Sequence, residues 1–394
     1  MRKINVEKIE NKQIFEEVTL SKVEVENAIK KVIEQIDINL EYFKNKFPAP
    51  ATKDNIYPII DNIEWTDGFY TGMLNLAYEY TKDEKYRIYA NKNVESFYNR
   101  IQKEIEVEHH DLGFLYSPSC VGYYKLTKDV LAKNAGLMAA EKLIKRYQSR
   151  GKFIQAWGPL DSKEHYRFII DCMLNIPLLY WASNETNNKK YKVIADNHFR
   201  TSLDNVIRSD ASAYHTFYMD YETGEPLKGV TRQGYNDSSS WGRGQAWGIY
   251  GIALNYMYTK NEEYIHYYHA MTNYFINRMP SDDVVYWDLI FKDGDGHLKD
   301  SSASAIVICG IAEMLKHMPE TFEDKRLHQN AANRMLKSLI NNYHNKEISI
   351  GSCVLLHGVY SWHSKKGYDE GNIWGDYFYF EALMRYYKDL KIYW

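Results

Sequence analysis

The sequence has few of the features that mark secreted, membrane-spanning or zinc-binding proteins. It contains four cysteines in 394 residues, at positions 120, 172, 309 and 353, and no CxxC pair. A disulfide framework and a zinc cluster are therefore not expected. No run of about 18 apolar residues occurs, and the opening segment lacks the apolar stretch of a signal peptide. These absences predict a reduced, cytoplasmic protein.

A strong net charge and several common catalytic motifs are also missing. The formal net charge is −3, from 49 basic and 52 acidic residues, which does not favour nucleic acid or an anionic membrane surface as a partner. Neither a GxGxxG loop nor a Walker A phosphate loop is present, and there is no GxSxG nucleophile elbow. The chemistry must therefore depend on other residues.

Aromatic residues, by contrast, are abundant. They make up 15% of the chain, with 35 Tyr and 9 Trp. Such side chains stack on ring-shaped ligands, sugars included, or fill the contacts between helices. Composition alone leaves both uses open.

Apolar periodicity predicts an almost entirely helical protein. The clearest helix opens with a capping box at Ser21 and Glu24 and keeps an apolar face as far as Phe43. Strand signals are weak and short, as at 349–356. Further helices are expected at 128–149, 243–258, 262–278, 302–317, 327–343 and 376–390.

A partial repeat arranges these helices as hairpins. The pattern Y-x2-T-x4-Y-x3-A begins at Tyr78, and parts of it recur at 186–195 and 256–264. The copies are irregularly spaced, which argues against a solenoid with a fixed period. We expect one domain over residues 1–394, with 1–18 as a peripheral segment. Its hairpins would form a closed α/α toroid or an open α-solenoid.

One apolar segment, residues 161–181, contains a carboxylate in its middle. Read as a helix that Pro177 kinks or ends, it places Arg167, Asp171 and Asn175 on one polar stripe. A carboxylate in such surroundings is costly unless it is paired or takes part in chemistry. Asp171 is therefore predicted to be either a structural partner of Arg167 or a catalytic group.

A second carboxylate, Asp111, follows two histidines in the loop His109-His110-Asp111. Two imidazoles beside a carboxylate could bind a metal, but the HExxH spacing is absent. The alternative is a second catalytic carboxylate that the histidines orient.

Three other segments are rich in candidate ligand-binding groups. Trp157 could form a wall of a cleft, and residues 233–247 combine indoles with Arg243, which suits a ring-shaped substrate that carries a carboxylate. The alternative for Arg243 is a structural ion pair. Residues 360–366 offer hydroxyl and ammonium groups to a sulfate or phosphate, although a surface charge run has the same pattern.

Three motifs stand in the chain in the order HHDLGF at 109–114, YRFIIDCMLN at 166–175 and SSWGRGQAWG at 239–248. Together they resemble the unsaturated glucuronyl hydrolases of glycoside hydrolase family 88. The likeness runs through residues 65–385 and leaves the N-terminal segment outside. It implies an all-α fold, the (α/α)6 barrel. It also implies hydrolysis of the 4,5-unsaturated uronic acid at the non-reducing end of oligosaccharides that polysaccharide lyases release.

The resemblance also implies roles for individual residues. Asp171 matches the catalytic acid/base and Asp111 the second essential carboxylate. Ser361, Ser364 and Lys366 match an S-x-x-S-x-K pattern of members that accept sulfated glycosaminoglycan disaccharides. The other residues expected around the sugar are His215, Gln233, Trp241, Arg243 and Trp247, with Trp65, Trp157 and Tyr360 as walls.

This chemistry makes demands on the two carboxyls. Asp171 must hold a proton part of the time near neutral pH, while Asp111 is expected to be ionised beside it. Arg167 should then point away from Asp171, and Arg243 or His215 should hold the uronate carboxylate. No metal or organic cofactor is expected.

Three other functions are compatible with parts of the sequence. One is an unsaturated rhamnogalacturonyl hydrolase of family 105, acting on pectin. A second is an oligosaccharide-binding protein without catalysis, and a third is a sugar epimerase that uses histidine pairs. The sequence does not reveal the oligomeric state or the preferred glycosaminoglycan.

Overall fold

Helices account for most of the protein. The computed structural model describes residues 3–391 and 393–394. Besides the α-helices there are two π-helical segments, Ser117–Val121 and Leu339–Tyr343, and two 3-10 turns, Lys12–Phe15 and Lys163–His165. The α-helices are α1 (Lys22–Phe43), α2 (Asp67–Thr81), α3 (Glu84–Gln102), α4 (Leu112–Tyr116), α5 (Gly122–Thr127), α6 (Val130–Ile144), α7 (Cys172–Asn175), α8 (Pro177–Thr186), α9 (Lys189–Asn205), α10 (Gly242–Thr259), α11 (Glu263–Ile276), α12 (Ser301–Leu315), α13 (Lys325–Ser338) and α14 (Ile373–Tyr387).

Six buried helical rods form a closed inner ring. In order round the ring they are α2, α4–α5, α7–α8, α10, α12 and α14, and α14 packs against α2 to close it. The outer layer consists of α1, α3, α6, α9, α11 and α13. Helices α10 and α12 are buried almost all round, whereas α1 and α13 bury one stripe, as their positions require. The described chain is an (α/α)6 barrel, so the closed toroid is confirmed and the open solenoid is excluded.

The connection of the helices brings the starts of the inner rods together. Each of the first five inner rods is followed by an outer helix that packs back beside it, and the last rod, α14, packs against α1, so the inner rods all begin at one rim. The loops before four of these starts, those of α2, α7, α10 and α14, carry small antiparallel sheets. Their strands are β1 (Phe47–Pro48) with β2 (Ile59–Ile60), β3 (Tyr147–Gln148) with β4 (Phe153–Ile154), β5 (Arg167–Ile169) with β6 (Thr216–Met219) and β7 (Pro226–Val230), and β8 (Gly358–Ser361) with β9 (Lys366–Glu370).

Most of the predicted local structure is present. The capping box is confirmed, because the Ser21 hydroxyl accepts from the Glu24 amide and the Glu24 carboxylate accepts from the Ser21 amide. The helices expected between 128 and 390 all occur, with shifted ends. The strand expected at 349–356 is wrong. That segment forms turns with isolated bridges, and the neighbouring strands are β8 and β9.

The helix expected over residues 161–181 is also wrong in its first half. Residues Arg167–Ile169 form a strand that pairs with β6, and the helix begins only at Cys172. Sheet pairing with a distant segment here outweighs the local helical pattern. Pro177 does interrupt the helix, but it occupies the first position of α8, where its missing N–H costs nothing.

The segment before α1 lies on the outside of the barrel. Asn11 donates to the carbonyl oxygens of Ile276 and Met279, and Asn330 donates to that of Ile14. Among the described residues, no helix combines the length and the apolarity that crossing a bilayer requires.

Candidate active site

A cleft of about 660 Å³ opens at the rim where the inner rods begin. Its volume is in the range of a binding site for a small molecule. It is lined by Trp65, His110, Asp111, Trp157, Ile169, Asp171, His215, Arg232, Gln233, Tyr360, Ser361, His363 and Ser364.

Asp111 stands immediately before α4 and lines this cleft. Its carboxylate Oδ1 accepts a hydrogen bond of 3.2 Å from Nδ2 of Asn175, and its backbone N–H donates to Nδ1 of His109 at 3.0 Å. Nε2 of His110 lies 3.3 Å from Oδ1. The neighbouring rod and both histidines therefore fix the position of Asp111.

Asp171 holds the corresponding position before α7. Its Oδ1 atom is buried without a hydrogen-bond partner among the described residues. Burial raises the pKa of Asp171 to about 7, against the opposing effects of Arg243 and of its own backbone N–H. A carboxyl with this pKa is protonated in a large fraction of molecules at neutral pH, as an acid/base group requires.

The expectation that Asp111 is the ionised member of the pair is not confirmed. Burial, followed by the charge of Asp171, raises the pKa of Asp111 well above its usual value, and the Asn175 hydrogen bond only partly offsets this. Two buried carboxyls that repel each other titrate as a pair. The two carboxyls therefore share their protons, and ionisation cannot be assigned to Asp111 alone.

The histidines near the pair are neutral. His109 donates from Nε2 to the carbonyl oxygen of Glu106 at 3.0 Å and accepts at Nδ1, so both its ring nitrogens are engaged by backbone. Burial lowers the pKa of His109 to about 4 and that of His215 to about 3. These histidines orient neighbouring groups, and the histidine-pair chemistry of the epimerase alternative has no support here.

Nine of the predicted site residues share the cleft. Nε1 of Trp65 donates to the hydroxyl of Tyr360 at 2.8 Å, which joins two of the predicted walls. Trp157 also lines the cleft and makes a backbone bridge to His109. The nine are Asp111, Asp171, His215, Gln233, Trp65, Trp157, Tyr360, Ser361 and Ser364.

The predicted indole platform does not face the cleft. Trp247 is fully buried, because it faces the barrel interior on α10 and packs on Phe114 and Phe378. Trp241 is 4% exposed and lies between the ring of His215 and the guanidinium of Arg243. Neither tryptophan is among the residues that line the cleft.

Arg243 and Lys366 also lie outside the lining of the cleft. Arg243 pairs with the carboxylate of Asp300 and donates to the carbonyl oxygens of Val359 and Tyr360, both at 2.8 Å. Arg243 thus makes the structural ion pair that was the alternative prediction for it. Its only effect on Asp171 is that its positive charge lowers the pKa of that carboxyl. Lys366 lies on β9, and its Nζ atom is 4.5 Å from the ring centroid of Tyr360 on the paired strand β8.

The expectation that Arg167 points away from Asp171 is confirmed. Its guanidinium donates from Nη1 to the carbonyl oxygen of Glu164 at 2.8 Å and lies over the ring of Trp157. No ion pair between Arg167 and Asp171 occurs.

Two polar cleft residues, as well as the apolar Ile169, were missed from the sequence. Arg232 presents an exposed guanidinium next to Gln233, and no motif distinguishes it from a surface arginine. His363 donates from Nε2 to the carbonyl oxygen of Gly234 at 2.7 Å, which ties the hairpin of β8 and β9 to the loop before α10. Only the tertiary structure brings these segments together.

A potential metal-binding cluster lies elsewhere. Among the described residues, His269, Asp324 and His328 bring three ligand atoms within 4.8 Å of one another, on the outer helix α11 and at the start of α13. Their polar atoms already bond to one another and to Asn273. None of the three lines the cleft.

A sequence profile described as Glycosyl Hydrolase Family 88 matches residues 38–386. The chain belongs to this family. It is 58% identical, over 100% of both chains, to the unsaturated chondroitin disaccharide hydrolase of Streptococcus pneumoniae. The crystal structure of the unsaturated glucuronyl hydrolase of Streptococcus agalactiae superposes with a TM-score of 0.99, at 57% identity and with 100% of both chains covered. A variant of that enzyme complexed with dGlcA-GalNAc6S gives a TM-score of 0.91 at 53% identity, covering 100% of this chain and 99% of the other.

Proposed function

We propose that this family 88 enzyme removes the 4,5-unsaturated glucuronic acid from the non-reducing end of lyase-generated glycosaminoglycan disaccharides, of the sulfated chondroitin type. The observation that carries the proposal is the pair of Asp111 and Asp171, placed at the starts of neighbouring rods in a cleft with aromatic walls. The similarity to an unsaturated chondroitin disaccharide hydrolase and to a structure with bound dGlcA-GalNAc6S supports it.

The reaction needs one group that first donates and then accepts a proton. The substrate contains an enol ether, C4=C5–O5, and the carboxyl of Asp171 transfers its proton to C4, which leaves an oxocarbenium-like centre at C5. The resulting carboxylate removes a proton from water as the water oxygen bonds to C5. The hemiketal so formed opens and expels the next sugar. Asp171 ends the cycle protonated.

The site supplies the protonation state that this cycle requires. Burial raises the pKa of Asp171 to about 7. Asp111, fixed by Asn175, lies beside it and stabilises positive charge on the ring whenever it is ionised. The indole of Trp157 and the ring of Tyr360 supply flat apolar surface for the planar unsaturated sugar.

The outer part of the cleft favours an anionic second sugar. The guanidinium of Arg232 and the hydroxyls of Ser361 and Ser364 line the same cavity. Guanidinium and hydroxyl groups are suitable donors for the oxygens of a sulfate. This chemistry favours a sulfated glycosaminoglycan over the pectin fragments of the family 105 alternative.

The proposal is tested by the ultraviolet absorbance of the C4=C5 double bond. Wild type and Asp171→Asn are incubated with a 6-sulfated unsaturated chondroitin disaccharide. We expect absorbance to fall with wild type and to stay constant with Asp171→Asn. Absence of turnover by wild type on this and on the unsulfated disaccharide would reject the proposal. Turnover of a pectin-derived unsaturated disaccharide alone would identify the family 105 activity instead.

The non-catalytic alternative makes a different prediction. A protein that only binds oligosaccharides would bind the disaccharide in both forms, as measured by calorimetry, without any loss of absorbance. Calorimetry with Asp171→Asn therefore serves as the control that a loss of turnover is not a loss of binding.

A further inference from the structure

Arg167 is a buried guanidinium that has no acidic partner. It is 2% exposed, and its Nε and Nη2 atoms have no hydrogen-bond partner among the described residues. Only Nη1 is bonded, to the carbonyl oxygen of Glu164 at 2.8 Å and to the hydroxyl of Tyr218 at 3.5 Å. Burial of an unpaired charge is costly. A bound anion near this guanidinium would therefore stabilise a charge for which the described residues provide no carboxylate.

The other buried arginines of the described chain do not share this feature. Each has a carboxylate oxygen within 4.0 Å. The pairs are Arg100 with Asp67, Arg146 with Glu108, Arg243 with Asp300 and Arg385 with Glu313.

The position of Arg167 directs its charge toward the cleft. Side chains alternate along a strand, so Arg167 and Ile169 lie on one face of β5, and Ile169 lines the cleft. Phe168 points the other way, into the core against Phe153. The carbon Cζ of Arg167 lies 5.1 Å from the ring centroid of Trp157, which also lines the cleft. One indole ring therefore separates the charge from the cavity.

A second guanidinium, that of Arg232, acts on the same region. Arg232 lines the cleft. Burial is the main cause that lowers the pKa of Arg167, and the positive charge of Arg232 lowers it further. Both arginines, with Arg243, also lower the pKa of His215. An anion bound beside Arg232 would relieve the repulsion between the two guanidinium groups, and because Arg167 is buried, salt would screen its contribution only weakly.

We propose that Arg167 is a specificity-determining positioning residue, which acts through Trp157 to favour substrates that carry a sulfate on the second sugar. The inference rests on the proposed function. Its charge adds to the attraction of Arg232 for the sulfate, and its stacking holds the indole of Trp157 against the sugar. It touches neither the scissile bond nor the two carboxyls.

The test compares sulfated and unsulfated unsaturated chondroitin disaccharides. In Arg167→Gln, whose amide can still donate toward Glu164, we expect the ratio of kcat/KM for the sulfated to the unsulfated substrate to fall about three- to tenfold. The change should lie in KM, and because salt screens a buried charge only weakly, the dependence of kcat/KM on salt should change little. Arg167→Lys should keep most of the ratio because it keeps the charge.

Arg146→Gln is the matched control. Arg146 is also buried and donates to the same loop, from Nη2 to the carbonyl oxygen of Gly158 at 2.9 Å, but a carboxylate balances its charge. It should not change the ratio. An unchanged ratio of kcat/KM in folded Arg167→Gln would overturn the inference. So would a fall of the ratio in Arg167→Lys as large as the fall of about three- to tenfold expected for the glutamine variant. The lysine variant therefore decides the question even if Arg167→Gln does not fold. Failure of the proposed function would show separately, as absence of turnover by wild type.

Discussion

The side-chain amide of Asn175 donates to Oδ1 of Asp111 and to the backbone carbonyl of Asp171, both at 3.2 Å. Its Oδ1 atom accepts from the amide of Phe114 at 2.7 Å. The contact is close enough that a Cβ on Gly113 would lie 2.3 Å from the Asn175 carbonyl oxygen. One buried amide thus connects the two segments that carry the proposed catalytic carboxyls.

Asn175→Ala should impair catalysis more than binding. It frees the Asp111 carboxyl and leaves the Phe114 amide without its acceptor, so we expect kcat to fall about 10- to 100-fold and the free energy of unfolding to fall by about 1–3 kcal/mol. Because the lost hydrogen bond lowers the pKa of Asp111, the pKa of the carboxyl pair should rise. The alkaline limb of kcat/KM against pH should then move to higher pH.

Asn255→Ala provides the control for this prediction. Asn255 lies on α10, is also buried, and donates at 3.1 Å to the carbonyl oxygen of Met173, which shares helix α7 with Asn175. It has no hydrogen bond to either carboxyl among the described residues. It should lower the melting temperature without moving the pH profile. A shift of the profile in both variants, or in neither, would contradict the role assigned to Asn175.

The sequence predicts those parts of the structure that depend on local pattern. The capping box at Ser21 and the buried face of α1 follow from the local side-chain pattern, which is a property of one segment. The resemblance in three motifs correctly identified the fold. It also named both carboxyls, which the structure places in one cleft.

The remaining features depend on contacts between distant segments. The pairing of Arg167–Ile169 with β6, across about fifty residues of sequence, turned an expected helix into a strand. A motif match gives the position of Trp247 but not its direction, and the helix α10 turns it into the barrel. Arg232 has no pattern of its own, since only folding places it in the cleft.

The pH dependence of catalysis should follow the protonated carboxyl. With the pKa of Asp171 raised to about 7 by burial, kcat/KM should be highest at mildly acidic pH and should fall as pH rises through about 7, because the proton donor is lost. Initial rates from pH 4.5 to about 9 measure this. A rate that stays constant across that range would rule out an essential protonated Asp171.

Replacement of Asp171 should stabilise the protein at alkaline pH. Its pKa is higher in the folded state than in the unfolded chain, so ionisation costs stability as pH rises from about 4 to 7 and the cost then stays constant. A shift from the ordinary value of 3.8 to about 7 corresponds to at most about 4 kcal/mol. Asp171→Asn should therefore raise the melting temperature more at pH 8 than at pH 4. An equal change at both pH values would show that the carboxyl titrates normally in the folded state.

Two tryptophans should separate binding from stability. Trp157 lines the cleft, so Trp157→Ala should raise KM about tenfold or more, the loss expected when a stacking surface is removed. Trp247 is fully buried against Phe114 and Phe378, so Trp247→Phe should instead lower the free energy of unfolding by about 1–3 kcal/mol, through the cavity it leaves. KM from the absorbance assay and unfolding in urea measure the two effects. If Trp247→Phe raised KM as much as Trp157→Ala at unchanged stability, the buried tryptophan would have to reach the sugar, and the assignment of the cleft walls would be wrong.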